Sequence, residues 1–166
     1  VEVTDLGASD GLVIADVARL TRGTLVNPPD PVDLSWTALT VPTDTDAGQA
    51  FAISRTYEVT DSDVGNDFAI TYYRSDNQTF GDGDDVLLTT ETVTAAGDKT
   101  EGTHAGSASA TITEAGTYWL YGVLDSGSAV TETDETNNPV VSAGQITVTA
   151  APLPPTIGSL AASPSS

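Results

Sequence analysis

The chain has 166 residues, enough for one domain with a hydrophobic core and some flanking sequence. Its formal net charge is −19, from 24 Asp and Glu residues against 5 Lys and Arg residues, which argues against a nucleic-acid partner because phosphate binding needs a basic surface. With no Cys and one His, the chain offers no disulfide and no thiolate zinc site, and no apolar run approaches the roughly 20 residues that cross a bilayer.

The first 30 residues are predicted to stand apart from the main domain. Residues 1–22 have the pattern of two short strands around an Asp/Gly turn, and the prolines of "GTLVNPPDP" then break regular structure. We expect residues 1–30 to be the end of a preceding domain, or a strand donated to a neighbouring copy in a head-to-tail fibre. Because the chain begins at Val1, we expect a processed chain or a fragment. The candidate assembly strand contains Leu12, Val13, Ile14, Val17 and Leu20.

Residues 31–150 have the alternation of β-strands. The stretch "VDLSWTALTV" (32–41) predicts a first strand, and "PTDTDAG" predicts a turn. In "QAFAISRTYEV" the apolar residues share one face, which Arg55 interrupts, and "FAITYYRS" repeats the pattern. Further strands are expected at "VLLTTETVT", "SASATIT", "AGTYWLYGVLD" and "VVSAGQITVTA", with "AAGDKTEGTHAG" as a turn. Seven or eight short strands without helical periodicity predict an all-β sandwich. Residues 151–166 are expected to be a Pro/Ser linker or the start of a following domain.

A local motif narrows the class of sandwich. Glu114-Ala-Gly-Thr-Tyr118-Trp-Leu120 has the spacing of the immunoglobulin tyrosine corner, in which the Tyr hydroxyl binds the backbone of the incoming loop. The alternative is that Tyr118 is one more core aromatic. Either interpretation places this segment in the core of a sandwich.

Three stretches resemble one family: "PVDLSWTALTVPTDTDAGQAF", "ITYYRSDNQTFGDGDDVLL" and "GTYWLYGVLDSGSAVTETDETNNPV". Together they make residues 31–149 similar to the CARDB domain, the cell-adhesion-related domain found in bacteria. The resemblance implies an immunoglobulin-like sandwich of about seven antiparallel strands, used as a repeated non-catalytic module in secreted or surface-attached prokaryotic proteins. The chain departs from the family pattern between the second and third strands, where "TDSDVGNDF" replaces the more common Asn-x-Gly turn. Separately, "GLVIADVARLTRG" within residues 1–23 is similar to the closing strand of golvesin-like domains.

Two acidic clusters are candidate calcium sites, because Ca²⁺ takes about six to eight oxygen ligands. Each cluster falls on a predicted loop, and neither has the EF-hand spacing. The first cluster consists of Asp76, Asn77, Asp82, Asp84 and Asp85. The second consists of Asp125, Glu132, Asp134, Glu135, Asn137 and Asn138. An extended segment presents alternate residues on opposite sides, so an ion in the second cluster would need Asp125 to meet Glu135 and Asn138.

The same residues also have a purely structural explanation. Asn and Asp side chains cap their own backbone in turns, and carboxylates on a strongly acidic surface need no ion. Such a surface suits a salty or calcium-containing exterior, because salt screens its charges.

The residues offer little for catalysis. His104, the single His, lies among small polar residues, and Asp and Glu residues are not placed by the sequence in one cleft. Asn77-Gln-Thr79 is an acceptor triplet for N-glycosylation. We therefore expect no enzyme activity.

The expected function is an extracellular structural or adhesive module whose partners are copies of itself or neighbouring sandwich domains, with cell-surface glycans as further candidates. The alternative is a carbohydrate-binding accessory module of a secreted hydrolase, which aromatic rings on a solvent-facing platform would favour.

Overall fold

A computed structural model describes residues 31–152 of the chain. The two strands predicted in residues 1–22, the assembly strand from Leu12 to Leu20, and most of the C-terminal segment lie outside the described residues. All statements below concern the part that is described.

Nine strands form two sheets that pack face to face. The smaller sheet has the order β1-β3-β6, and the larger has the order β2-β9-β7-β4-β5, with β8 pairing with β7. The strands are β1 Asp33–Thr40, β2 Asp44–Asp46, β3 Ala50–Thr60, β4 Phe68–Ser75, β5 Val86–Val93, β6 Gly102–Thr111, β7 Gly116–Val123, β8 Pro139–Val141 and β9 Ile146–Thr149; one 3-10 turn spans Ala96–Asp98. The predicted all-β, immunoglobulin-like sandwich is confirmed.

The alternation read in β3 and β4 is confirmed. One face of each strand is buried between the sheets while the other face is more exposed, as expected for a half-buried strand. The shared core contains, among others, Phe51, Ile53, Tyr57, Val59, Phe68, Ile70 and Tyr72. Burial of this apolar surface is the main favourable contribution to folding.

Arg55 lies on the buried face of β3, where the sequence pattern showed an interruption, and its side chain is 8% exposed. Its Nε donates a hydrogen bond to Glu91 Oε1 of β5 at 2.5 Å, and the hydroxyl of Tyr72 donates to the same carboxylate oxygen. Because β3 and β5 belong to different sheets, the ion pair joins the two layers. A buried cation is tolerated only with such a partner.

Three predicted boundaries are wrong. The turn predicted at "PTDTDAG" contains β2, which pairs in parallel with β9. Strand β6 begins at Gly102, inside the segment predicted as a turn, because its pairing with β3 continues to Val59. The single last strand predicted is two strands, β8 and β9, separated at residues 142–145. In all three cases the deciding contact is with a strand distant in sequence.

The tyrosine corner is confirmed. Tyr118 donates from its hydroxyl towards the carbonyls of Glu114 and Ala115, at 3.3 and 3.4 Å. Gly116 permits this closure, since a Cβ there would lie 2.6 Å from the Tyr118 hydroxyl oxygen.

We predict that Glu91→Gln lowers the free energy of unfolding by about 2–4 kcal/mol, because it leaves the buried Arg55 without its counter-charge. The double variant Arg55→Met/Glu91→Leu should lose less than the sum of its two single variants, since it removes both charges together. Urea denaturation of Glu91→Gln against the wild type measures the first loss, and denaturation of the wild type, Arg55→Met, Glu91→Leu and the double variant measures the coupling. Additive losses would mean that the pair does not stabilise the layers jointly.

We predict that Gly116→Ala costs about 1–3 kcal/mol of stability, because its methyl group would overlap the Tyr118 hydroxyl. The matched control is Gly97→Ala, where an added Cβ meets nothing within 4 Å. Thermal unfolding of both variants checks the prediction, and equal midpoints would contradict it.

Candidate cation sites

The first acidic cluster lies on the connection between β4 and β5. Asp82, Asp84 and Asp85 each place one carboxylate oxygen so that the three oxygens lie within 4.8 Å of one another. The amide nitrogen of Asn77 donates to Asp82 at 2.8 Å and to Asp84 at 2.9 Å. Asp76 is directed instead towards Arg74, at 3.9 Å. The loop therefore gathers four of the five residues of this cluster.

The β4–β5 loop contains two glycines with positive φ angles and two carboxyl groups with shifted pKa values. Gly81 and Gly83 have φ angles of +87° and +104°, a region that residues with a Cβ rarely adopt. Desolvation raises the pKa of Asp84, and its neighbour Asp82 adds to the rise, whereas the hydrogen bond from Asn77 lowers the pKa of Asp82. Two adjacent carboxylates thus share one donor group.

The second acidic cluster lies on the connection between β7 and β8, residues 124–138. Glu132 and Glu135 each direct one oxygen to the amide nitrogen of Asn138, at 3.1 and 3.3 Å. Their other oxygens accept backbone N–H groups: Leu34 N donates to Glu132 at 2.8 Å, and Glu132 N donates to Glu135 at 3.1 Å. The two carboxylates are therefore held in place and converge on one buried amide.

Asp125 and Asp134 of this cluster accept hydrogen bonds from nearby backbone N–H groups. An ion in this cluster was predicted to need Asp125 beside Glu135 and Asn138, but the two oxygens of Asp125 accept the N–H groups of Ala129 and Val130, at 2.9 and 2.8 Å. Asp134 accepts from the backbone and the hydroxyl of Thr136, at 2.9 and 2.6 Å. These contacts are the turn-capping role that the sequence offered as the alternative.

Asp33 and Trp36 of β1 are part of this second site, although sequence reasoning missed them. Asp33 accepts the amide of Asn137 at 2.9 Å and the backbone N–H of Asp134 at 3.0 Å. The indole N–H of Trp36 donates to the carbonyl of Asn138 at 2.6 Å. These partners are about a hundred residues apart in sequence, so no local pattern signals their contact.

Glu132 has an unusual electrostatic environment. Partial burial raises the pKa of its carboxyl group from 4.5 to about 7, and repulsion from Glu135 and Asp125 adds to the rise, against hydrogen bonds from Leu34 and Asn138 that lower it. The basic residues within 31–152 are Arg55, Arg74 and Lys99, and each pairs with a carboxylate elsewhere. No Lys or Arg of the described range neutralises Glu132.

The single His and the predicted glycosylation site both make contacts within the domain. The His104 ring lies 2.6 Å from the carbonyl of Thr100 through Nε2, and packs 5.3 Å from the ring of Tyr57. The cleft near Glu132 is lined by Asp63 and residues 129–133, not by His104. The Asn77 amide, the predicted glycan acceptor, is engaged by two carboxylates.

Comparison with solved structures identifies the fold. A crystal structure of a CARDB domain from Pyrococcus furiosus, in complex with di-metal ions, matches with a TM-score of 0.53 at 15% identity, covering 75% of this chain and 100% of that chain. The solution NMR structure of the same domain matches with a TM-score of 0.51 at 15% identity, covering 72% of this chain and 97% of that one. The described residues therefore have the fold of a CARDB domain, as the sequence resemblance implied.

Other comparisons add less. A β-glucosidase from Listeria innocua matches with a TM-score of 0.45 at 14% identity over 82% of this chain and 20% of that one. No protein-family model matches the sequence, and no curated protein matches it. Within residues 31–152, no helix is long and apolar enough to cross a membrane.

The raised pKa of Glu132 predicts a pH dependence of stability in EDTA. The folded state holds the Glu132 proton more tightly than the unfolded state, so this stabilising contribution is complete below about pH 4.5 and is lost as the pH rises through about 7. Glu132→Gln cannot ionise, and at pH 8 it should be more stable than the wild type by on the order of 1–2 kcal/mol.

Denaturation of both proteins at pH 5 and pH 8 measures this difference, with Glu101→Gln, at an exposed position, as the control. A difference between wild type and Glu132→Gln that does not change between the two pH values would contradict the prediction.

Proposed function

We propose that the chain is a CARDB domain acting as a non-catalytic structural or adhesive module of a secreted or surface-attached prokaryotic protein. The observation that carries this proposal is the fold, which matches a CARDB domain over 100% of that domain's length. The acidic surface fits an exterior location, where dissolved cations screen its charges.

We further propose that copies associate through β6, at the edge of the smaller sheet. Strand β6 pairs with β3 over ten positions without a register shift, and no described strand pairs with its other edge. It contains neither Pro nor an acidic residue nor Lys, the usual features that protect an edge from pairing with another chain. Strand addition at β6 therefore has a long, regular acceptor.

The other edges are less suited to accept a strand. The edge of β1 is covered, because Thr133 N and Ala143 N donate to the carbonyls of Val32 and Leu39. Strand β2 has three residues, two of them Asp, and β5 is irregularly paired with β4. The occupant we propose for β6 is the segment from Leu12 to Leu20 of a neighbouring copy, whose apolar and β-branched residues suit a strand.

We propose that the β4–β5 loop binds Ca²⁺ through Asp82, Asp84 and Asp85. Three convergent carboxylates are hard-oxygen ligands, and Asp85 Oδ1 has neither exposed surface nor a hydrogen-bond partner. The solved CARDB domain that shares this fold is in complex with di-metal ions.

Carbohydrate binding is the second candidate function. Phe80 packs against the rings of Tyr73 and Tyr121, at centroid distances of 5.3 and 5.2 Å, and 39% of Phe80 is exposed. Tyr121 is 5% exposed and Tyr73 is half-buried, so Phe80 is the most accessible ring of the group. Retention on a polysaccharide matrix that disappears in Phe80→Ala would favour this candidate.

Assembly is the decisive test of the structural role. We predict that the 166-residue chain forms fibres or oligomers, measured by electron microscopy and light scattering, and that deletion of residues 1–24 abolishes them. Ser107→Lys/Ser109→Lys should also abolish them, because lysines on an edge strand oppose pairing.

The matched control is Ser54→Lys/Ala52→Lys. These positions lie directly opposite on the central strand β3 and are exposed, so they add the same charge away from the edge. Fibres that survive both the deletion and the β6 variant would overturn the strand-addition proposal. A monomeric wild type would do the same.

A further inference from the structure

We propose that residues 24–29, just before the described part of the chain, pack into a cleft of the same domain and fix the direction in which residues 1–23 leave it. The cleft is the one beside Glu132, and we call it the entry cleft. The proposal rests on where the chain enters the domain, on the chemistry of the cleft and on the composition of residues 24–29. It does not depend on fibre formation.

The entry cleft is a space of about 650 Å³ at one end of the sandwich. Its walls are the β3–β4 loop, residues 61–67, and residues 129–133 of the β7–β8 connection. The side-chain amide of Asn66 donates to the carbonyl of Ala129 at 2.9 Å and joins the two walls. Protein pockets of about 300–1000 Å³ enclose small ligands, so the cleft has room for several side chains.

The described part of the chain begins at this cleft. Pro31 and Val32 are among its lining residues. From one wall the Ser62 hydroxyl donates to the carbonyl of Pro31, and from the other Thr133 N donates to the carbonyl of Val32 at 2.9 Å. These bonds hold the backbone between the walls. Because six extended residues span about 20 Å, residues 24–29 are within reach of both walls.

The chemistry of the entry cleft suits an uncharged, partly apolar occupant. Val32 and Val130 line it and are almost fully buried, so they contribute apolar surface. Its two carboxylates, Asp63 and Glu132, already accept backbone N–H groups at 2.7 and 2.8 Å. None of the lining residues is Lys or Arg. An anion would therefore be repelled, and a neutral segment would not.

Residues 24–29, Thr-Leu-Val-Asn-Pro-Pro, meet these requirements. They carry no charge in a chain of net charge −19, so the carboxylates of the cleft do not repel them. Leu25 and Val26 are adjacent aliphatic residues that gain free energy by leaving water. Pro28 and Pro29 restrict the backbone, which lowers the entropy lost when the segment is held in one conformation.

Packing in the entry cleft would have a consequence for the longer assembly. Residues 24–29 connect directly to residues 1–23, so their position sets the direction in which the N-terminal part extends from the domain. A neighbour bound through residues 1–23 would then be held at a fixed angle rather than on a free hinge.

The test measures whether residues 24–29 shield the cleft in the full 166-residue chain. The protein contains no Cys, so Gly65→Cys introduces a single thiol into the cleft, where an added Cβ meets nothing within 4 Å. The alkylation rate of this thiol should rise at least about fivefold when Leu25→Ser/Val26→Ser is added, because apolar contacts no longer hold the segment in place.

Two controls isolate the effect. Leu12→Ser/Val13→Ser makes the same chemical change outside the proposed segment and should leave the rate at Gly65→Cys unchanged. Gly144→Cys places the thiol between β8 and β9, where an added Cβ also meets nothing within 4 Å. Its rate should not respond to the change at Leu25 and Val26.

Thermal unfolding gives a second, independent measurement. Leu25→Ser/Val26→Ser should lower the unfolding midpoint by roughly 3–8 °C, whereas the same change in an exposed segment would leave it nearly constant. Both measurements use the Ser107→Lys/Ser109→Lys background, so that assembly does not shield the thiol. Fibres that persist in this background would contradict strand addition at β6, while the alkylation rates below the fibre-forming concentration still test the entry cleft.

Equal alkylation rates with and without Leu25→Ser/Val26→Ser would overturn the proposal, and so would equal unfolding midpoints. Protection of the Gly65→Cys thiol that increases with protein concentration would also overturn it, because the occupant would then come from another copy.

Discussion

The sandwich depends on a polar connection that covers the open edge of its first strand. Residues 131–138 run beside β1, where Thr133 N binds Val32 and Leu34 N binds Glu132. Trp36 reaches the same connection through its indole N–H. Without this cover, β1 would present unpaired backbone groups to solvent or to another chain. The connection and β1 are joined partly through carboxylates, because Glu132 accepts Leu34 N and Asp33 accepts Asp134 N.

In the interior, a buried positive charge is balanced by groups of the facing sheet. Arg55 lies between the sheets, where an unpaired cation would be costly, and Glu91 and Tyr72 satisfy it from the other layer. Burial and the nearby Glu91 raise the pKa of Tyr72 above its ordinary value, so its hydroxyl remains a donor to that carboxylate. The pair joins the two sheets at this point through directional hydrogen bonds, which apolar contacts do not provide.

The sequence predicted what local patterns control. The alternation in β3 and β4 and the tyrosine corner at Tyr118 follow from residues near one another in the chain. It did not predict β2, because three polar residues form a strand only when β9 lies beside them. The sequence also did not predict that Asp33 belongs to the second site, because its partners Asp134 and Asn137 are about a hundred residues away in the chain. The sequence also did not show that the Asp125 carboxylate accepts N–H groups of the turn that follows it, where Asp125 itself has a φ of +38°.

The parallel pair of β2 and β9 has a mechanical consequence. Three residues of β2 lie in register with Thr147, Val148 and Thr149, and flanking backbone hydrogen bonds extend the contact. In parallel strands, the start of one and the end of the other lie at opposite ends of the pair. Tension on the two ends of the chain, once it reaches this pair, acts along the strands and loads its hydrogen bonds together rather than in succession. We therefore expect this pair to resist extension more than the three-residue length of β2 alone would suggest.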